Sequence, residues 1–528
     1  MASSLESRIK FQQIFWFGVI GICALMIGFY LASNIFTLAF GIIAIAWLFL
    51  LPYHANLSAW LSLTTYTSAL ILPYFPGRPY LWEFAALLGW SGLIILISLR
   101  KFSPDAGEVL RRHRWLFLGI IGYCAVLMIT MFYRGVGLRI IGSDQMGGRF
   151  YFQQFSCAIF PILFILLKIN EKTLLKLFIV QCLLTSTFFV SDFVFASGKA
   201  AGLWFILNFF ELPGDAANFE RMAQMGGIRR YQSLNIVSQG LIFLILVFHN
   251  FRDFFSRKGF YLVPLTILFF SMGLLSGHRY LSLILIVAFF FIAFTQKFYR
   301  VTDIALVGAV ILLGLVIVIA NIQRMPLSAQ RALSYIPGVK INSMARSDSS
   351  GPPETRRLLR DAGTRLIPEY VWMGRGFGMP NQDFSHLWDP TQVTIHVNQG
   401  RFYNGFIGLM VNTGLFGTIF MTLFLGSGSL VAWRLIKYLR IYGVHDNFSR
   451  VTCIVASTWM ANIIAFFIFH GDAEYAMKTF SLQIGMMLAC RRNLLARHAI
   501  EKTSEEGQED ADQNPVASRK INPIPVIS

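Results

Sequence analysis

Charge is scarce in this sequence. Asp, Glu, Lys and Arg make up 14% of its 528 residues, against about a quarter in an ordinary soluble chain. That shortage, with a mean hydropathy of +0.58, excludes a conventional soluble globular protein. Acids are scarcer still, 27 against 45 Lys and Arg, for a formal net charge of +18. Cysteine is rare as well. All six (Cys23, Cys124, Cys157, Cys182, Cys453 and Cys490) lie in apolar runs, and none shows C-x-x-C spacing. No thiolate zinc site or disulfide framework is therefore expected. Ionisable residues are nearly missing from the interiors of the apolar runs, where an ion-coupled transporter would place them. No internal repeat is visible.

What is present is a series of apolar runs of about 17–25 residues separated by short polar turns, the pattern of membrane-spanning helices. The expected fold is an all-α polytopic membrane protein with about fourteen transmembrane helices and one large periplasmic loop. The runs fall near 11–31, 35–51, 57–73, 82–99, 115–133, 150–167, 173–194, 233–249, 259–275, 279–295, 302–320, 404–431, 451–469 and 475–490. Residues 1–320 then form the first group of spans, with outer loops at 196–232 and 276–279. A large loop follows at 321–403, three further spans at 404–492, and a polar tail at 493–528 that reads as a disordered cytoplasmic segment. The N-terminal run is too long for a signal-peptide core and reads as an uncleaved span.

Alternating the sides of the spans sorts the basic residues. Arg8 and Lys10, "RKFSPDAGEVLRRHR", Lys168 and Lys172, "FRDFFSRKG", Lys297 and Arg300, "WRLIKYLR" and "RRNLLAR" all fall on one side. By the positive-inside rule that side is cytoplasmic, so both termini are placed inside and the large loop outside. The excess charge thereby reads as topology and contact with membrane lipids, and no nucleic-acid partner is expected.

The stretch Asn321 to Gly417 is the exception to the apolar pattern. It holds nine arginines against a single lysine, Lys340, and ends in "IHVNQGRFYNGFIGLMVNTGLFG". Within it, "SSGPPETRRLLRDAGTRLIPEY" reads as a helix over 352–367, opened by Ser350 and the prolines and stopped by Pro368. Leu359, Ala362 and Leu366 make one stripe, with Arg356 and Arg360 four apart on another face. Helical spacing leaves two readings, a solvated or lipid-touching basic face, or a phosphate site. Guanidinium offers a planar fork of donors matched to phosphate oxygens and stays charged in any setting. Elsewhere on the outer side stand Arg279, in the turn "LSGHRYLS", and Arg229 with Arg230, in "MGGIRRYQSLN". "GKAAGLWFILNFFEL", apolar but too short to span, reads as an interfacial or re-entrant helix. No D-x-D metal motif and no pair of carboxylates suited to glycoside hydrolysis stands in the loop, so neither a metal nor another cofactor is expected.

Together these segments resemble the O-antigen ligases and Wzy-type O-antigen polymerases. That family carries a small-residue/Arg turn at the outer start of a span, here "SGHRYLSL" with Arg279. Its loop helix has an Arg-x-x-x-Trp pattern before a Gly-x-Gly, here "RRLLRDAGTRLIPEYVWMGRGFG", which puts Arg356 on the family arginine and Arg360 where Trp is common. Its loop ends in "HN-x-x-L…GxxG", here "YNGFIGLMVNTGLFG". Aligned on Asn404, Gly414 and Gly417, the family histidine falls on Tyr403, and the nearest histidine upstream is His396.

The resemblance implies a metal-independent, inverting glycosyltransferase of a bacterial inner membrane, with the large loop in the periplasm. The donor would be an undecaprenyl-diphosphate-linked glycan and the acceptor a hydroxyl on lipid A core, on another lipid-linked glycan or on a protein. Arg279 and Arg356 would neutralise the leaving diphosphate. His396, or Tyr403 in its place, would take the acceptor proton, and histidine suits that role better near neutral pH. Arg229, Arg230, Arg360 and Asn404 would contact phosphate or sugar, and Tyr370, Trp372 and Trp388 would stack on sugar faces or pack the loop. Two other classes stay open: an exporter or flippase that moves an anionic lipid-linked substrate without making a bond, and a non-catalytic scaffold for envelope assembly.

Overall fold

The computed structural model describes residues 14–22, 45–46, 49–50, 53–73, 78–100, 102–137, 145–197, 201–211, 228, 230–298, 300–336, 338–380 and 396–513. The apolar runs become helices: α1 (His54–Thr65), α2 (Leu81–Ser98), α3 (Arg114–Arg134), α4 (Gly148–Leu166), α5 (Glu171–Val194), α6 (Leu234–Phe248), α7 (Gly259–Leu274) and α8 (Tyr280–Thr295). After them come α9 (Val301–Asn321), α10 (Leu327–Ala332), α11 (Ser343–Tyr370), α12 (Gly405–Tyr442), α13 (Asn447–Phe469, its last five residues a π turn) and α14 (Ala476–Gln513). Among the described residues one two-stranded element, β1 (Gln145–Met146) antiparallel to β2 (Met379–Pro380), ties the end of the α11 segment to the residues before α4.

Among the described residues, α2, α3, α4, α5, α12 and α13 are long and apolar enough to cross a membrane, and α6, α7 and α8 are shorter apolar helices. The chain is thus helical and of membrane character, but fourteen spans are not reached on these criteria. The expected runs at 11–31 and 35–51 lie mostly outside the described residues. The run expected at 57–73 is corrected. Its helix ends at Thr65, and Leu70 and Ile71 instead form isolated bridges to Phe210 and Tyr80. The backbone there pairs sideways, with Ile71 N–H donating to Phe209 O at 3.0 Å and Leu72 N–H to Pro79 O at 2.8 Å.

Close helix approach depends on small residues, as expected where helices pack without water between them. Gly119 and Gly122 of α3 face Phe424 and Phe420 of α12. A Cβ on Gly119 would lie 2.7 Å from the Phe424 backbone nitrogen, and one on Gly122 2.3 Å from the Phe420 ring. Trp459, fully buried, fills the next layer against Phe424 and Phe480.

Two further expectations are corrected. The loop helix starts earlier and ends later than 352–367. Asn342 caps it by accepting from Met344 N–H at 2.9 Å, and it runs through Pro352, Pro353 and Pro368 to Tyr370. Ser350, expected to open it, bonds back to the Ser347 carbonyl one turn earlier, so it serves the helix interior. Likewise, the tail expected to be disordered from residue 493 is helical to Gln513. It is held by Asn493 donating to Ile169 O and by Arg497 bridging Glu171 and Asp446 at 2.8 and 3.0 Å. The apolar segment near 201–208 forms 3₁₀ turns (Ala201–Asn208), with Trp204 and Phe205 exposed and Leu207 buried.

The break that holds the polar segment against the spans is in α12. Gly414 adopts φ 69°, ψ −171° inside the helix. The interruption frees backbone groups that would otherwise be buried without partners. The extended stretch after α11 supplies those partners: Arg375 N–H donates to Val411 O (2.7 Å), Gly376 N–H to Asn412 O (2.9 Å), and Leu415 N–H to Val371 O (2.6 Å). The two backbones lie so close that a Cβ at Gly374 or Gly414 would sit within 2.5 Å of the other chain.

An arginine-lined cavity as the candidate functional site

That junction fixes the end of α11 over the start of α12. Leu359 is fully buried on the inner face of α11, and Gly363 meets Phe402 and Ile407 so closely that any Cβ would overlap them. Arg356, one turn before Leu359, is thereby turned inward, over the Tyr403 ring at 5.4 Å. On the other side, Gly277 takes φ 69° in the tight turn between α7 and α8, which presents His278 and Arg279. Arg279 donates to Ser334 Oγ at 2.6 Å and to Ser349 O at 3.1 Å, tying the turn to α11.

Between these parts lies a cavity of about 800 Å³. Arg279, Arg331, Arg356, His278 and His470 line its polar side, with Asp472 as the only carboxylate among the described residues of the lining. Leu283, Ile286, Phe466, Phe469 and Phe480 line its apolar side. Arg331 is anchored twice, donating to Gly277 O and pairing with Asp348 at 2.5 Å. Arg230 pairs with the same Asp348 carboxylate. Among the described residues no carboxylate lies within ion-pair distance of Arg279 or Arg356. Burial pulls both guanidinium groups below the usual arginine value, yet both stay charged at any physiological pH. The cavity therefore holds more positive charge than its lining carboxylate, Asp472, offsets, an arrangement that favours an anion.

The two cavity histidines sit low. Burial disfavours the imidazolium of His278, Arg331 and Arg230 repel it, and its pKa falls to about 4. His470 falls to about 4 for the same reason, burial first and the Arg356 charge next. Both are neutral at pH 7. The Asp472 carboxyl is raised by burial, although Arg401 opposes the shift.

No known protein family matches this chain, and no curated protein is similar to it. The arrangement has to be read on its own geometry.

Arg279 and Arg356, 77 positions apart by their numbers 279 and 356, share the cavity. Tyr403 lies beside it in a strained left-handed conformation, φ 49°, and burial raises its phenol. His396 reaches the Tyr403 ring edge-on, with centroids 5.5 Å apart, but does not line the cavity, and burial lowers its pKa. Arg360 and Asn404 are engaged elsewhere. Arg360 donates to Tyr403 O and Ile468 O at 3.4 and 3.3 Å, and Asn404 caps α12 and donates to Phe467 O at 3.0 Å. Both hold the carbonyls of the π turn that ends α13. Tyr370 lies under Arg134 at 5.4 Å, and Trp372 is exposed and packs on Phe416. Arg229 and Trp388 fall outside the described residues.

Sequence reading missed His470, Asp472 and Arg331. Arg331 sits in the loop as one arginine among nine, with nothing in its spacing to single it out. His470 and Asp472 sit in "FHGDAEY" after the penultimate span, a segment far from the loop motifs. A polar cluster in an otherwise uncharged turn was the only signal available. Among the described residues no group of three or more His, Cys, Asp or Glu side chains could hold a metal ion.

Proposed function

We propose that the chain is a glycosyltransferase of a bacterial inner membrane, facing the periplasm, that moves a glycan from an undecaprenyl-diphosphate carrier onto an acceptor hydroxyl. The observation that carries this reading is the meeting of Arg279 and Arg356 in one cavity without carboxylate partners among the described residues. Two guanidinium groups held in place before substrate arrives can take up the charge that grows on a departing diphosphate, and preorganised charge of this kind is commonly a large share of catalysis. The apolar wall of Leu283, Ile286, Phe466 and Phe469 suits the lipid part of such a donor. Ile286, 64% exposed, lets that wall continue onto the outer face of α8. Direct attack of the acceptor hydroxyl on the anomeric carbon, opposite the diphosphate, inverts that centre. The same phosphate chemistry serves a ligase and a polymerase, and the acceptor alone distinguishes them.

Arg279→Ala and Arg356→Ala are each expected to abolish surface-glycan transfer while the protein remains in the membrane at normal level. Wild-type glycan profiles on gels from either variant would sink the reading. Reconstitution separates it from export: purified protein in liposomes with donor and acceptor in one leaflet makes a new glycoside only if it is an enzyme.

A further inference from the structure

The position that the family resemblance gives to histidine is Tyr403, and the structure places a different histidine against it. The His470 ring meets the Tyr403 ring edge-on at 4.7 Å and the Tyr280 ring at 5.9 Å, so it is clamped between aromatics from two elements. Its backbone N–H donates to Ala465 O at 2.8 Å, closing the π turn of α13, and Gly471 follows. Its Nδ1 is 4.0 Å from a carboxylate oxygen of Asp472. Unlike His396, it lines the cavity with Arg279 and Arg356.

We infer that His470, supplied by the turn between α13 and α14, takes the proton from the acceptor hydroxyl. The inference rests on the glycosyl-transfer reading above. As the acceptor oxygen bonds to the anomeric carbon, its proton passes to the unprotonated ring nitrogen of His470. The bond from that carbon to the diphosphate oxygen breaks, and its electron pair leaves on the diphosphate beside Arg279 and Arg356. The proton then passes from the imidazolium to the released diphosphate, which restores the neutral ring.

The surroundings fit this cycle. The groups facing the ring are Arg356 from α11, Tyr403 and Arg401 from the turn before α12, Tyr280 from α8, His278 from the α7–α8 turn, and Asp472 from its own turn. Burial first, and the Arg356 and Arg401 charges after it, keep the ring neutral, which is the form that accepts a proton. A bound diphosphate offsets those charges, so the ring becomes more basic when substrate is in place. Asp472 then faces the imidazolium that forms. Tyr403 cannot serve as well, because burial raises a phenol that is already protonated at neutral pH and so is a poor proton acceptor.

The test uses the full-length protein. In the cells that express it, His470→Ala and His470→Gln are expected to lower surface-glycan transfer roughly 100- to 10,000-fold, the range for a lost proton acceptor. In detergent, both variants should bind farnesyl diphosphate within about threefold of wild type, since the arginines remain. Imidazole added to membranes carrying His470→Ala should restore part of the transfer. Wild-type transfer in either variant overturns the inference. So does loss without imidazole rescue, loss accompanied by lost farnesyl diphosphate affinity, or a loss in His396→Ala equal to or larger than that in His470→Ala. If Arg279→Ala and Arg356→Ala keep both binding and transfer, the glycosyl-transfer reading itself falls. If they lose both while His470→Ala keeps transfer, only this inference does.

Discussion

Single side chains carry the electrostatics of the cavity, and Asp348 is the clearest case. Its carboxylate bridges Arg230 and Arg331, whose side chains are 12% and 10% exposed, while Asp348 is 30% exposed. It neutralises two arginines that would otherwise add to the positive charge near the cavity. Asp348→Asn is expected to do two opposed things. It should lower stability by about 1–3 kcal/mol, less than a fully buried pair because solvent reaches the carboxylate. It should also tighten binding of inorganic pyrophosphate, up to about tenfold, because two arginines are released for the ligand. Thermal unfolding in detergent and pyrophosphate titration read the two effects separately. Unchanged affinity would show that Arg331 does not reach a bound anion.

The histidines make a pH prediction at the same scale. His278 and His470 have folded pKa values of about 4 against 6.5 in a free chain. A group whose folded value is depressed gives stability that is complete above the unfolded value. As pH falls from about 6.5 to about 4, the unfolded chain gains protons that the folded one refuses, so stability drops across that window. The double variant His278→Gln/His470→Gln should flatten the dependence of melting temperature on pH between 6.5 and 4. An unchanged slope would place these rings in contact with solvent.

At the scale of elements, the broken helix α12 explains why the cavity is held in one shape. Gly414 and Gly374 both take positive φ, 69° and 70°; a Cβ on Gly414 would run into the Trp372 and Gly374 backbone, and one on Gly374 into the Asn412 and Thr413 backbone. Gly414→Ala is expected to cost about 1–3 kcal/mol from conformation alone, and more because the added carbon meets Trp372 O at 2.5 Å. A melting temperature within a degree of wild type would show that the two segments separate easily. Both glycines were visible in the sequence as parts of "GRGFG" and "NTGLFG". Their spacing did not say that one stretch hydrogen-bonds into a break in the other, since the pairing joins residues far apart in sequence. Arg356 was legible through the resemblance, which counts back to it from Gly374 and Gly376, whereas helical spacing alone set it level with Arg360. His470 was not, because its neighbours in space, Tyr403, Tyr280 and Arg356, come from three other elements. The ends of α11 were misread for a local reason: prolines that usually start or stop a helix are carried here inside a long one.

At the scale of the whole molecule, arginines gather at both ends but are used differently. At the end opposite the cavity several are held by the protein's own carboxylates and carbonyls. Arg492 pairs with Asp105, Arg497 with Glu171 and Asp446, and Arg450 donates to Asn250 and Phe248. At the cavity end, Arg279 and Arg356 meet no carboxylate among the described residues. Helix α7 separates the two ends, its 16 residues spanning roughly 24 Å at about 1.5 Å per residue. If the chain crosses a membrane as proposed, Tyr335 beside the cavity and Ser256 before α7 lie on opposite faces. Both are exposed. The native cysteines within the described residues are buried or nearly so, which keeps background labelling low. Tyr335→Cys should therefore react with a membrane-impermeant maleimide added to intact spheroplasts. Ser256→Cys should react only after the membrane is opened. Equal labelling of both positions in intact spheroplasts would place the cavity and the basic end on one side. It would remove the periplasmic orientation on which the choice of a lipid-diphosphate donor depends.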